Sequence, residues 1–161
     1  MVKEIDYDLL IAIEESNIEE FQSALKNGAN ISGVVSEEYE EYGDFESSYG
    51  FTFLAVAAEM ALCEIINVQH NKKGFNKEEY EKQYSDAFEI FNTLKALKPN
   101  ENQEDCISAK TYIEDLTETR EMELYDDPYC YGYDEFDEEM GEDEWISEDP
   151  VVEYLKSFKF E

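Results

Sequence analysis

The sequence predicts a mainly α-helical single domain, and three observations predict it. Gly50 to His70 is the longest stretch nearly free of charge, holding only Glu59 and Glu64. On either side of it, apolar residues recur at three- and four-residue spacing. Helix-start and helix-stop residues, among them Asn17, Gly28, Asn76, Pro99 and Asp149-Pro150, fall at the ends of those segments. Within the central stretch Ala55, Ala57, Ala58, Met60, Ala61 and Leu62 mostly favour helix, and no Gly or Pro follows Gly50. Its apolar residues, from Phe53 to Val68, point in nearly every direction around a 3.6-residue period, so this helix requires cover on most sides.

With 161 residues, 42% of them hydrophobic and 14% aromatic, the chain is long enough for one core without disulfide or metal staples. Forty-two acidic side chains against 12 basic ones give a formal charge of −30, which strains any compact state by self-repulsion. Such a field excludes direct binding to nucleic acid or to an anionic membrane and steers cationic partners, so the expected partner is a basic protein surface. The acid is clustered rather than evenly spread, which argues against simple salt adaptation. Cys63, Cys106 and Cys130 are an odd set without a close pair, so a disulfide framework is not expected and the compartment reads as reducing. The opening residues lack a basic region followed by an apolar one, and no stretch reaches the roughly 18 apolar residues of a membrane span; the expected location is cytoplasmic.

Taken in order, Asp6–Glu15 places Leu9, Leu10, Ala12 and Ile13 on one face. Asn17–Asn27 begins at Asn17 as N-cap, carries Glu19 and Glu20 in its first turn, and buries Ile18, Phe21, Ala24 and Leu25. Gly28 then stops it where a left-handed residue is wanted. Asp8 to Ile31 as a whole, with its Leu-Lys-Asn-Gly-Ala-Asn ending, resembles an ankyrin repeat. Gly50-Phe-Thr52-Phe-Leu54-Ala-Val-Ala57-Ala58 is similar to the opening of a second, degraded copy, with Glu64-Ile65-Ile66 at its second-helix start. Phe53 stands where the family has Pro and Ala61 where it has a turn-making Gly, so the second pair reads either as a hairpin or as one fused helix. The resemblance covers residues 5–72 and implies helical hairpins that mediate protein contacts.

Between the two copies lies a long acidic insertion, 32–49, that reads as a small β-hairpin or finger turning near Gly43-Asp44. Asn76–Leu97 is the clearest amphipathic helix, with Tyr80, Tyr84, Ala87, Phe88, Phe91, Leu94 and Leu97 at helical spacing; it should pack on the central helix. Glu104 to about Leu124 is a second helix, with Cys106, Ile107, Ala109, Ile113, Leu116 and Met122 inward, so that 75–124 forms a helical pair. The tract 125–149 carries twelve acids, no Lys or Arg, and five interleaved aromatics beyond Tyr125, a content that favours docking on the body. Asp149 and Pro150 then open a closing helix, 150–159, whose stripe is Val151, Val152, Leu155 and Phe158.

Chemistry-bearing motifs are scarce. A calcium loop begun at Asp134 would place Glu139 and Trp145 where Gly and Glu are required, and His70, the one histidine, sits as a helix C-terminal cap. No nucleophile elbow, phosphate-cradling glycine loop or Cys/His pairing is present, and Cys63 and Cys106 read as small buried hydrophobes. The expectation is a binding protein rather than an enzyme, without metal or cofactor. Overall it resembles acidic DNA-mimic inhibitors and immunity proteins, which implies blocking of a basic nuclease, a restriction or CRISPR-type effector, or a nuclease toxin. The expected contact residues are Glu37, Glu38, Glu40, Glu41, Asp44 and Glu46 with Asp134, Glu135, Asp137, Glu138, Glu139, Glu142, Asp143 and Glu144. Tyr42, Phe45, Tyr131, Tyr133 and Trp145 are the expected aromatic anchors among them. The alternative is an ankyrin-type adaptor or effector that recognises a cellular protein by shape.

Overall fold

The computed structural model describes residues 2–41, 43–67, 75–126 and 149–160. Among them are seven α-helices: α1 (Glu4–Glu14), α2 (Ile18–Lys26), α3 (Phe53–Leu62), α4 (Lys77–Gln83), α5 (Ser85–Ala96), α6 (Ala109–Asp126) and α7 (Pro150–Lys156). The protein is mainly α-helical, and its β structure in the described residues is limited to isolated bridges between Val34 and Thr52 and between Phe51 and Ile107. None of the described helices is long and apolar enough to cross a membrane.

α3 is the centre the sequence called for. Eight of its ten residues are buried, and α1, α5 and α6 pack around it. Thr52 caps it, its hydroxyl accepting from the Ala55 amide at 3.1 Å. α1 and α2 pack on each other across a three-residue link, which requires them to run antiparallel. Asn17 accepts from the Glu20 amide at 3.2 Å as the N-cap of α2, and Gly28 takes φ +89° just beyond its end. Ile18 and Leu25 pack at the edge of the core, half-buried beside the fully buried Phe21 and Ala24. After Leu62 the described chain gives only a 3₁₀ turn, Ile65–Asn67, so no fused helix runs through it. His70 lies outside the described residues.

The expected Asn76–Leu97 helix is two helices. Asn76 caps α4 by accepting from the Glu79 amide, but Tyr84, at ψ 32°, bends the chain before α5 begins. The bend lets the α4 face reach α3, where the Tyr80 hydroxyl donates to the Ala61 carbonyl at 2.8 Å. α5 lays Ala87, Phe88, Ile90, Phe91 and Leu94 into the core. The next helix starts five residues later than expected, because Ile107 is committed to pairing with the chain before α3. Its amide donates to the Gly50 carbonyl at 2.7 Å and its carbonyl accepts from Thr52 at 3.0 Å. Cys106 thus precedes α6 and, like Cys63, is only half-buried. Ile113 and Leu116 are buried as expected, whereas Met122 is 66% exposed on the outer face.

α6 and α7 are joined by the chain's one arginine. Arg120 and Asp149 are both 0% exposed and meet in a two-point pair, Nε to Oδ2 and Nη2 to Oδ1 at 3.1 Å each. Asp149 Oδ2 also accepts from the Val152 amide at 3.1 Å, so the same carboxylate caps α7. Val151, Val152 and Leu155 are buried, and Phe158 sits half-buried, edge-on to Phe91 at 6.1 Å.

Candidate partner-binding face

The acidic insertion 32–49 is neither a hairpin nor a projecting finger. It is a loop closed at its neck and folded down on α1 and α3. At the neck the Val35 amide donates to the Phe51 carbonyl (2.9 Å), Gly50 to Val35 (2.8 Å) and Phe53 to Gly33 (3.0 Å). Gly33 must be glycine here, since a Cβ would lie 2.5 Å from the Phe53 ring, and Gly50 takes φ +88°. Beyond the neck the loop makes two 3₁₀ turns, Glu37–Tyr39 and Glu46–Ser48. Ser36 accepts from the Glu38 amide to open the first, and Asp44 accepts from the Glu46 amide to open the second.

Two aromatic rings hold this loop to the body. Tyr39 is 4% exposed and Phe45 3% exposed; they meet edge-on at 6.4 Å. Phe45 also packs on Tyr7 of α1 at 6.2 Å, and Tyr39 on Phe53 of α3 at 6.0 Å. Phe45 is therefore a core residue, not the surface anchor expected of it, because the two turns point its ring inward. Ser32 ties the start of the insertion to the segment after α5, its Oγ accepting from the Asn100 amide and its carbonyl from Gln103 Nε2, both at 2.8 Å.

With the rings inside, the carboxylates are outside. Glu37, Glu38, Glu40, Glu41, Asp44 and Glu46 are all exposed, and the insertion contains no Lys or Arg. Burial first, and their field after it, raise the phenols among them. Burial, with Asp6 and Glu38 nearby, pushes the Tyr39 hydroxyl up to about 12. Desolvation, the hydrogen bond that Tyr49 donates to Glu40, and the charges of Glu40, Glu37 and Glu46 push the Tyr49 hydroxyl up as well. Asp6, at the start of α1, joins this face, a neighbour that no local motif in the sequence announces; its Oδ1 accepts from the Asn30 amide at 2.7 Å. Tyr39 and Tyr49 are the structural residues that sequence reasoning passed over. Each lies next to a glutamate pair or a glycine in a segment too irregular to show a period.

Tyr42 and the whole late set, Tyr131, Tyr133, Asp134, Glu135, Asp137, Glu138, Glu139, Glu142, Asp143, Glu144 and Trp145, lie outside the described residues. Among the described residues no group of three or more His, Cys, Asp and Glu side chains is arranged to hold a metal ion. No family model matches the chain, and neither the curated proteins nor the solved structures contain a significant match.

Proposed function

We propose that the protein is a non-enzymatic acidic binding protein that occupies the cationic cleft of a nucleic-acid-binding enzyme, such as a nuclease or a restriction or CRISPR-type effector, and blocks it by nucleic-acid mimicry. The observation that carries this reading is the 32–49 loop, which holds six outward carboxylates over two buried rings and a hydrogen-bonded neck. A loop fixed in this way presents its charges without first ordering a flexible segment, so less conformational entropy opposes the contact. Binding would release the counterions that a nucleic acid releases in the same cleft.

The test is capture of partners by the full chain at low and high salt, with identification by mass spectrometry and competition by DNA or RNA. The expected partner is a basic nucleic-acid-binding protein that salt or competing nucleic acid releases. Changing Glu37, Glu40, Glu41 and Glu46 together to Gln should weaken it by about 100-fold, or roughly 2.8 kcal/mol. A neutral partner that survives high salt and ignores the four substitutions would refute mimicry. It would favour an adaptor, a role that the α1–α2 helical hairpin would also suit.

A further inference from the structure

The acidic surface has an opposite in the same molecule. Between the C-terminal end of α5, the segment leading into α6, and the residues after α7 lies an open groove of about 650 Å³. Lys95, Lys98, Lys110 and Lys159 line it, four of the 12 basic side chains in a chain of charge −30. These lysines are 64 residues apart at the extremes, so the fold, not the local sequence, assembles them.

Among the described lining residues one is a carboxylate, Glu101, and its hydrogen bonds go elsewhere. Glu101 Oε1 accepts from the Thr52 hydroxyl and the Ala109 amide, both at 3.0 Å, and Oε2 is buried in protein. It is therefore committed to the starts of α3 and α6 and does not pair the lysines. Lys110 has Glu114 beside it only at 4.0 Å and exposed, a pairing of little strength. One ammonium group is also placed. Lys95 Nζ lies 4.8 Å from the centre of the Phe160 ring, a cation–π contact that holds it at the wall. Lys98 stands just past α5 with φ +54°, a position where glycine is the usual residue and a side chain is strained.

We propose that this groove is a binding site for a small, multiply charged phosphate-bearing ligand. Four ammonium groups around one cavity call for several negative charges on a compact ligand, and lysine binds phosphate as a point charge. The volume is that of a small-molecule site. A long polyanion would meet Glu114 and Glu118 beside Lys110, whereas a compact ligand stays within reach of the lysines and is shielded from more distant acid by salt. This inference is independent of the mimicry reading, which concerns a different surface.

The test is calorimetric titration of the full chain with tripolyphosphate. The variant is K98Q/K159Q, two exposed side chains; the control is K26Q/K82Q, which makes the same change in net charge elsewhere. The expected result is saturable binding of one tripolyphosphate per chain, at least about tenfold weaker in K98Q/K159Q and within about twofold of the original in the control. Absence of saturable binding, or equal loss in both variants, overturns the proposal. So does a concentration-dependent dimer that K98Q/K159Q abolishes while tripolyphosphate fails to bind, which would assign the groove to a second copy of the chain.

Discussion

Breaking the Arg120–Asp149 pair should cost more than any other single polar change in the described structure. Both side chains are fully buried, the guanidinium meets the carboxylate at two points, and Nη1 reaches the Ile66 carbonyl at 3.4 Å. Removing one partner of such a pair costs about 3–5 kcal/mol. Asp149→Ala also deletes the cap on the Val152 amide, worth about 1 kcal/mol. The expected total is about 4–6 kcal/mol, against a stability of about 5–15 kcal/mol for a domain, and a fall in Tm of roughly 10–20 °C. Asp149→Asn keeps a capping oxygen and Arg120→Met keeps the apolar stem, so the two single variants and their double complete a cycle.

If the pair is fixed by mutual compensation, the double variant loses far less than the sum of the singles, with a coupling of about 2–3 kcal/mol. Urea unfolding followed by circular dichroism reads this, provided that the slope with urea stays constant. The coupling should also be nearly the same at 0.5 M salt, since a buried pair is screened little. Additive single effects below about 1 kcal/mol each, or a coupling that disappears in salt, would refute the assignment of this pair as the joint between α6 and α7.

Two further outcomes follow from the geometry. Gly33→Ala places a methyl against a fully buried Phe53 ring and should destabilise by about 1–3 kcal/mol, with faster proteolytic cleavage inside 32–49; unchanged cleavage would mean the neck does not hold the loop. Glu59 sits at the half-buried edge of α3, where desolvation raises its carboxyl, and its charge helps, after desolvation, to raise Glu14. A raised carboxyl binds its proton more tightly in the folded state, so stability falls as pH rises from the ordinary carboxylate range past the raised value. Glu59→Gln should therefore raise Tm at pH 7 and leave it nearly unchanged near pH 4, read by thermal unfolding across pH; an equal shift at both pH values would sink this explanation.

What was legible in the sequence was whatever local chemistry fixes. The caps at Asn17, Asn76 and Asp149, the left-handed Gly28 and the all-round burial of α3 each follow from residue types within a few positions of one another. The break at Tyr84 and the late start of α6 were not legible, because each answers a distant partner: the Ala61 carbonyl for Tyr80, and Gly50 with Thr52 for Ile107. Arg120 was half legible. Ile113, Leu116, Arg120 and Leu124 share one helical stripe, so a buried arginine could be read there, but its partner lies 29 residues on. On the candidate face the acids were plain and the role of the aromatics was not. Phe45 stands among acids in the sequence as a surface aromatic would, and only the turns on either side of it decide that it faces the core.

On the proposed mimicry reading, that inward turn is what would make the charge of the loop useful to binding. Six carboxylates on a free segment would spread apart and lower their repulsion, and a partner would then have to gather them again. Tyr39 and Phe45 prevent the spreading from beneath, while the Gly33–Phe53 and Gly50–Val35 hydrogen bonds prevent it at the neck. The repulsion is retained in the folded protein, and opposite charge brought to this face relieves it. On that reading, stability of the fold and affinity for a cationic surface would be linked, since a partner that binds only the folded chain stabilises it by mass action. The buried rings carry this linkage as much as the acids do, because without them the same charges would have no fixed arrangement to offer.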